Sequence, residues 1–143
     1  QKPEELFPFF SEAKNLEKIT PPLLQFRVLD SSTESIEQGS EINYKLKING
    51  IPLRWKTKIT EWKPPYAFVD NQEKGPYTKW NHLHKFEELG GGTLMTDRVR
   101  LIIPMGFLGL ASASWKVFSD VNQIFSYRRQ YIFEHYFKQK GNP

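Results

Sequence analysis

The strongest constraint on the fold is a strict two-residue alternation through residues 41–62. From Glu41 to Ile48, Ile42, Tyr44, Leu46 and Ile48 fall on one face, and Asn43, Lys45 and Lys47 on the other. This is the pattern of a half-buried strand, because successive side chains of an extended chain point to opposite sides. Asn49-Gly50 then marks a two-residue hairpin turn, which needs two positive φ angles. The alternation resumes from Ile51 to Trp62, with Leu53, Trp55, Thr57, Ile59 and Glu61 on one face and Arg54, Lys56, Lys58 and Thr60 on the other. A chain with this period forms an antiparallel sheet with one wetted face, not a helix.

Three more strands follow. Tyr66–Gln72 lies after the Pro64-Pro65 break, Tyr77–Glu88 after Gly75-Pro76, and Thr93–Ile103 after Gly90-Gly91-Gly92. Turn lengths predict the cross-strand pairs: Tyr44 with Trp55, Ile59 with Asp70, Asp70 with Trp80, and His84 with Asp97. In every hairpin the apolar faces land on the same side, and a one-residue slip would turn a strand inside out. An earlier strand is expected over Leu24–Leu29, with Leu24, Phe26 and Val28 on one face and a polar loop over residues 31–40.

Helices flank the sheet. Pro3, Glu4 and Glu5 suit a helix start, and Leu6, Phe7, Phe9 and Phe10 give it an apolar face. Ser11 is expected to cap a second helix over Glu12–Ile19, stopped by Pro21-Pro22. After Pro104, residues 105–113 read as a glycine-interrupted approach to a long helix over Ser114–Lys138, closed by Gly141. Its stripe is Val117, Val121, Ile124, Arg128 and Ile132, flanked by Phe118, Phe125 and Tyr131. The fold class is α+β, one domain over residues 1–143. The curved sheet wraps around the long helix so that each buries a face, and a cavity is expected where the wide end is hard to fill.

The polar residues on the inward face set the candidate site. Phe68, Asp70 and Gln72, then Trp80, His82, His84 and Phe86, share one face, with Asp97 opposite His84. The wall expected to contact a ligand comprises Tyr44, Trp55, Thr57, Phe68, Asp70, Gln72, Trp80, His82, His84, Asp97 and Arg128. His82 and His84 project from one strand face ~7 Å apart. With Asp97 they would make a two-histidine, one-carboxylate set, but no fourth ligand is evident and no metal is expected. The same His82, His84 and Asp97 are the candidates for acid–base chemistry, because a buried histidine beside a carboxylate has a perturbed pKa. In the bland alternative these groups only satisfy one another and hold strand register.

Composition excludes other classes. The 143 residues contain no cysteine, so thiolate nucleophiles, disulfides and zinc–thiolate sites are ruled out. No G-x-S-x-G elbow, P-loop or dinucleotide fingerprint is present, so hydrolase, kinase and dehydrogenase readings lack support and no cofactor is expected. The net charge of +4 is assigned to a solvated sheet face bearing Lys45, Lys47, Arg54, Lys56, Lys58, Lys79, Lys85, Arg98 and Arg100, not to nucleic-acid binding. No apolar run approaches the ~20 residues of a membrane span, and no signal peptide is read at the start. A cytoplasmic location is the expectation.

Several short segments carry a family resemblance: Phe9-Phe10 with Asn15-Leu16, Thr20-Pro21-Pro22, Ile51-Pro52-Leu53-Arg54-Trp55 and Phe68-Val69-Asp70-Asn71-Gln72. Further along come Gly75-Pro76-Tyr77, Trp80 to Phe86, Met95-Thr96-Asp97 and Phe125-Ser126-Tyr127-Arg128. In order and spacing they resemble the START-like, or SRPBCC, superfamily, which includes polyketide cyclases and the birch-pollen allergen type. More narrowly they resemble its bacterial ligand-binding cyclase/dehydrase subgroup, whose members have carried a "cell division inhibitor" label. The resemblance implies a helix-grip fold and a hydrophobic ligand cavity between sheet and long helix, but no agreed reaction. It also implies a strand ahead of the first helix, whereas this chain starts at that helix. The expected function is binding of a small, largely hydrophobic molecule. The alternatives are a cyclase or dehydratase-like enzyme using His84 or His82 with Asp97, and an interaction domain whose core is filled by side chains.

Overall fold

The computed structural model describes residues 1–104 and 111–137. Six strands form one antiparallel sheet in sequence order: β1 (Arg27–Ser31), β2 (Glu41–Ile48), β3 (Ile51–Lys63), β4 (Ala67–Lys74), β5 (Lys79–Leu89) and β6 (Gly92–Ile102). Two helices precede it, α1 (Pro3–Phe10) and α2 (Asn15–Lys18), and the long helix α3 (Ala111–Ile132) follows and ends in a π-helical turn over Phe133–Phe137. This is the helix-grip arrangement of an α+β fold. No helix among the described residues is long and apolar enough to cross a membrane. Of the approach segment expected over residues 105–113, residues 105–110 lie outside the described residues and the rest is helical, since α3 starts at Ala111 and not at Ser114; the helix end expected at Lys138 and Gly141 also lies outside them.

The two-residue turns behave as their sequences require. Asn49 and Gly50 take φ of 51° and 78°, and Tyr44 pairs with Trp55. Gly90 and Gly91 take 57° and 79°, and His84 pairs with Asp97. Ile59 pairs with Asp70, again as expected.

Other elements differ from expectation for local reasons. Ser11 closes α1 instead of opening α2, its N–H bonding the Pro8 carbonyl. The second helix shrinks to Asn15–Lys18, with the Asn15 side chain tied back to the Phe9 carbonyl at 2.8 Å. Pro22–Leu24 makes a 3₁₀ turn, so β1 starts at Arg27, where Glu17 bonds the Val28 N–H at 2.9 Å. The connection between β4 and β5 is longer than the three-residue loop expected at 74–76, and Asp70 pairs with His82 and not with Trp80. The shift is two residues along β5, which preserves the face of every side chain.

A bulge at Thr60 shifts the β3–β4 register between Ile59 and Glu61. One extra residue inverts the alternation beyond it. Glu61, expected to face inward, is exposed, and Trp62 turns in against Phe7, with ring centroids 5.0 Å apart.

The inner face of the sheet has two unlike ends. At one end α1 lays Phe7 and Phe10 onto Phe86, at 5.3 and 5.1 Å between centroids, with Phe68, Ile59, Ile42 and Ile132 of α3 in the same buried cluster. At the other end α3, from Lys116 to Arg128, and the segment bearing Thr20, Leu24 and Phe26 stand around the sheet, and the space between them is open.

Candidate functional site

The open end is a cavity of about 410 Å³. Its sheet wall is Tyr44, Leu46, Leu53, Trp55, Trp80 and His82; its helix wall is Val117, Val121, Ile124, Phe125 and Arg128. The alternation of β2 and β3 supplies the first set and the 3–4 spacing of α3 the second. The rim is formed by the β2–β3 turn (Ile48, Asn49, Ile51), by Pro76-Tyr77, and by Lys116 and Asp120, which pair with each other one helical turn apart. Aromatic rings brace the wall: Trp55 meets Trp80 edge-on at 5.2 Å and stacks on Tyr44 at 5.9 Å.

Between the cavity and the packed end lies a buried polar partition. His82 Nε2 bonds Asp97 Oδ1 at 2.9 Å, and His82 Nδ1 lies 3.3 Å from Asp70 Oδ2. His84 Nε2 bonds Asp70 Oδ2 at 2.7 Å, while His84 Nδ1 lies 3.1 Å from Asp97 Oδ1 without forming a hydrogen bond. Each carboxylate thus touches both imidazoles. Register explains the arrangement. Asp70 pairs with His82 and Asp97 with His84, and the shorter bonds run on the diagonals. Arg128 of α3 adds Nη1 at 3.5 Å from Asp97 Oδ1 and stands over the Phe125 ring at 5.2 Å. His84 stacks on Phe68 at 4.0 Å on the packed side, and His82 meets Phe125 and Trp80 on the cavity side.

Burial opposes ionisation of Asp70, but the charge of His82 and hydrogen bonds from both histidines outweigh it and hold the carboxyl well below the usual range. Asp97 is held low in the same way: burial opposes ionisation, and the bond from His82, the close approach of His84 and the charge of Arg128 prevail. Burial disfavours the His82 cation, yet Asp70 and then Asp97 raise its pKa. With His82 protonated, Asp70, Asp97, His82 and Arg128 carry two charges of each sign.

A pH dependence of stability follows. The lowered carboxyls contribute fully above about pH 4 and lose their contribution as pH falls towards their folded values; the raised His82 contributes fully below about pH 6.5 and loses it as pH rises through its folded value. Urea midpoints are therefore expected to peak between these limits and to decline on both sides. His82→Gln is expected to flatten the alkaline limb. A wild-type midpoint that stays level from about pH 6.5 to 9 would contradict the linkage.

Asp70, His82 and His84 also bring three metal-type ligand atoms within 4.8 Å of one another. A tetrahedral ion with bonds of about 2.0–2.2 Å separates its ligand atoms by roughly 3.3 Å. The 2.7 Å between His84 Nε2 and Asp70 Oδ2 is shorter than that and is the spacing of a hydrogen bond.

Of the residues predicted from sequence, Tyr44, Trp55, Trp80, His82 and Arg128 lie on the cavity wall. Asp70, His84 and Asp97 sit behind it in the partition, and Phe68 belongs to the packed cluster. Thr57 lies beside Tyr44, with 3.5 Å between the hydroxyls. Gln72 is engaged in the β4–β5 turn, where its Nε2 donates to the Tyr77 carbonyl at 2.6 Å and its Oε1 accepts from the Tyr77 N–H at 3.2 Å. A Cβ at Gly75 would crowd the end of the Gln72 side chain, so glycine leaves room for this closure. Val117, Val121, Ile124 and Phe125 were legible only as a helix stripe, although a stripe facing the sheet is itself the signal for the opposite wall.

The family model for polyketide cyclase/dehydrase and lipid transport matches residues 1–126. No curated protein shows significant sequence similarity to the chain. Among solved structures, TTHA0849 of Thermus thermophilus is similar with a TM-score of 0.70 at 14% identity, over 94% of this chain and 92% of that one. Ara h 8.0201 has a TM-score of 0.61 at 15% identity, over 94% and 91%. The major latex-like protein 151 of Panax ginseng has a TM-score of 0.59 at 13% identity, over 87% and 86%. At these identities the likeness concerns the fold.

Proposed function

The chain belongs to the polyketide cyclase/dehydrase and lipid transport family, and from that we propose that it binds a small, largely apolar molecule between the sheet and α3. The observation that carries this reading is the open volume of about 410 Å³, walled mainly by aromatic and aliphatic side chains, beside an end of the same sheet that is fully packed. That volume lies within the ~300–1,000 Å³ of small-molecule sites. An interaction domain with a filled core would leave no such space. The cyclase-like alternative would draw on His82, which alone of the four His and Asp groups reaches the cavity wall. Both of its ring nitrogens face carboxylates at 2.9 and 3.3 Å, an arrangement suited to holding the wall rather than moving a ligand proton.

The test uses a neutral apolar dye, N-phenylnaphthylamine, whose emission rises in an apolar pocket. The wild type is expected to bind it with saturable enhancement. Ile124→Trp, which puts an indole into the cavity, is expected to weaken binding roughly 10-fold or more while leaving the urea midpoint close to wild type. Equal binding by the two proteins would place the dye elsewhere and defeat the reading.

A further inference from the structure

Taking the cavity as a ligand site, we infer that its ligand bears a carboxylate that seats against Arg128. Arg128 lies on the cavity wall and is 8% exposed. Its Nε and Nη1 are buried and donate no hydrogen bond to any acceptor among the described residues. Nη1 is 3.5 Å from Asp97 Oδ1, which is ion-pair contact and not a hydrogen bond. A buried guanidinium with idle donors is costly, and with no acceptor meeting them among the described residues, an acceptor entering the cavity would relieve that cost.

The rest of the wall points the same way. Trp55 Nε1 is also buried and without a partner among the described residues, and an indole N–H can only donate. On the inner wall His82 faces Asp70 and Asp97, the Tyr44 hydroxyl faces Thr57, and the Thr20 hydroxyl donates to the Leu16 carbonyl at 2.6 Å; at the rim the Asp120 carboxylate is paired with Lys116, and Asn49 is exposed to solvent. Unmet polarity in the wall is therefore of the donor kind. It favours a ligand with acceptors at its polar end and disfavours an amine, which would bring further donors and a charge like that of Arg128. A carboxylate fits best among acceptors, because its two oxygens match the planar guanidinium fork. With the apolar remainder of the wall this describes an amphipathic acid: a hydrocarbon or ring body in the aromatic end and a carboxylate at the partition.

The probes are decanoate, decanol and decylamine, which share one chain and differ in the head group, titrated calorimetrically into the intact protein at neutral pH below micelle formation. Decanoate is expected to bind about 10-fold or more tighter than decanol, and decylamine weakest. Arg128→Met is expected to lower the decanoate-to-decanol affinity ratio roughly 10- to 100-fold. Should that variant fold poorly, Arg128→Lys keeps a cation beside Asp97 but loses the planar fork, and a several-fold fall in the ratio is expected. The inference is overturned if decylamine or decanol matches decanoate in the wild type, or if the ratio survives both substitutions. Failure of all three probes while N-phenylnaphthylamine still binds would overturn the carboxylate and leave the cavity reading standing. Failure of the dye as well would remove both.

Discussion

Phe86→Ala is expected to destabilise the protein by about 3–5 kcal/mol, the range for truncating a phenylalanine in a close-packed core. Phe86 has no exposed surface and sits among Phe7, Phe10 and Phe68, at centroid distances of 5.3, 5.1 and 6.3 Å. Two of these rings come from α1 and one from β4, so collapse into the void would require a helix to move against the sheet. Collapse is further limited by the backbone, since the Phe86 N–H is fixed to the Tyr66 carbonyl at 2.7 Å. Urea unfolding would show the loss as a lower midpoint with an unchanged slope. A cost below about 1 kcal/mol would mean that α1 does not anchor this end of the sheet rigidly.

Asp97→Asn is expected to cost about 3 kcal/mol, because removing one member of a buried charge group leaves the others uncompensated. Asp97 Oδ1 receives the His82 bond at 2.9 Å and lies within 3.5 Å of the Arg128 guanidinium. The near-isosteric amide preserves volume, so the loss measures charge and hydrogen bonding and not packing. Adding Arg128→Met to Asp97→Asn should return part of the stability, since the orphaned cation is then gone; this double-mutant cycle isolates the coupling. Additive losses in the cycle would show that the two side chains do not interact. Disruption here should also reach the cavity, because the partition is its inner wall.

Phe86 lies at the packed end of the sheet's inner face, and Asp97 at the partition between that end and the cavity. The sheet presents the same alternating pattern along its length, yet one end is packed by α1 and the other is open to the first turns of α3. Stability is concentrated at the Phe86 end and the proposed binding at the Trp55 end. Four ionisable groups and Arg128 form the boundary. A polar boundary can serve both, because it orders the strands that meet there and offers a donor to whatever enters the cavity.

The sequence alone determined strands β2 to β6, the sidedness of their faces up to the bulge in β3, and three of the four expected cross-strand pairs. Period-two patterning is a property of each strand by itself, and a two-residue turn at Asn49-Gly50 or Gly90-Gly91 has no slack. It also determined that histidines and carboxylates would share an inner face, since His82, His84, Asp70 and Asp97 keep their parity under any two-residue shift. The tertiary structure decided what parity cannot: how many residues each longer turn uses, and where a strand takes an extra one. A β4–β5 connection longer than the expected three residues set Asp70 opposite His82, and the Gln72 amide that closes that turn is thereby withdrawn from the cavity. The bulge at Thr60 turned Trp62 inward in place of Glu61, because Phe7 of a distant helix was there to receive it. Depth along the sheet was settled in the same way. Whether an inward side chain lines a cavity or lies behind it depends on what α1 and α3 cover, and that is fixed by packing between segments far apart in the chain.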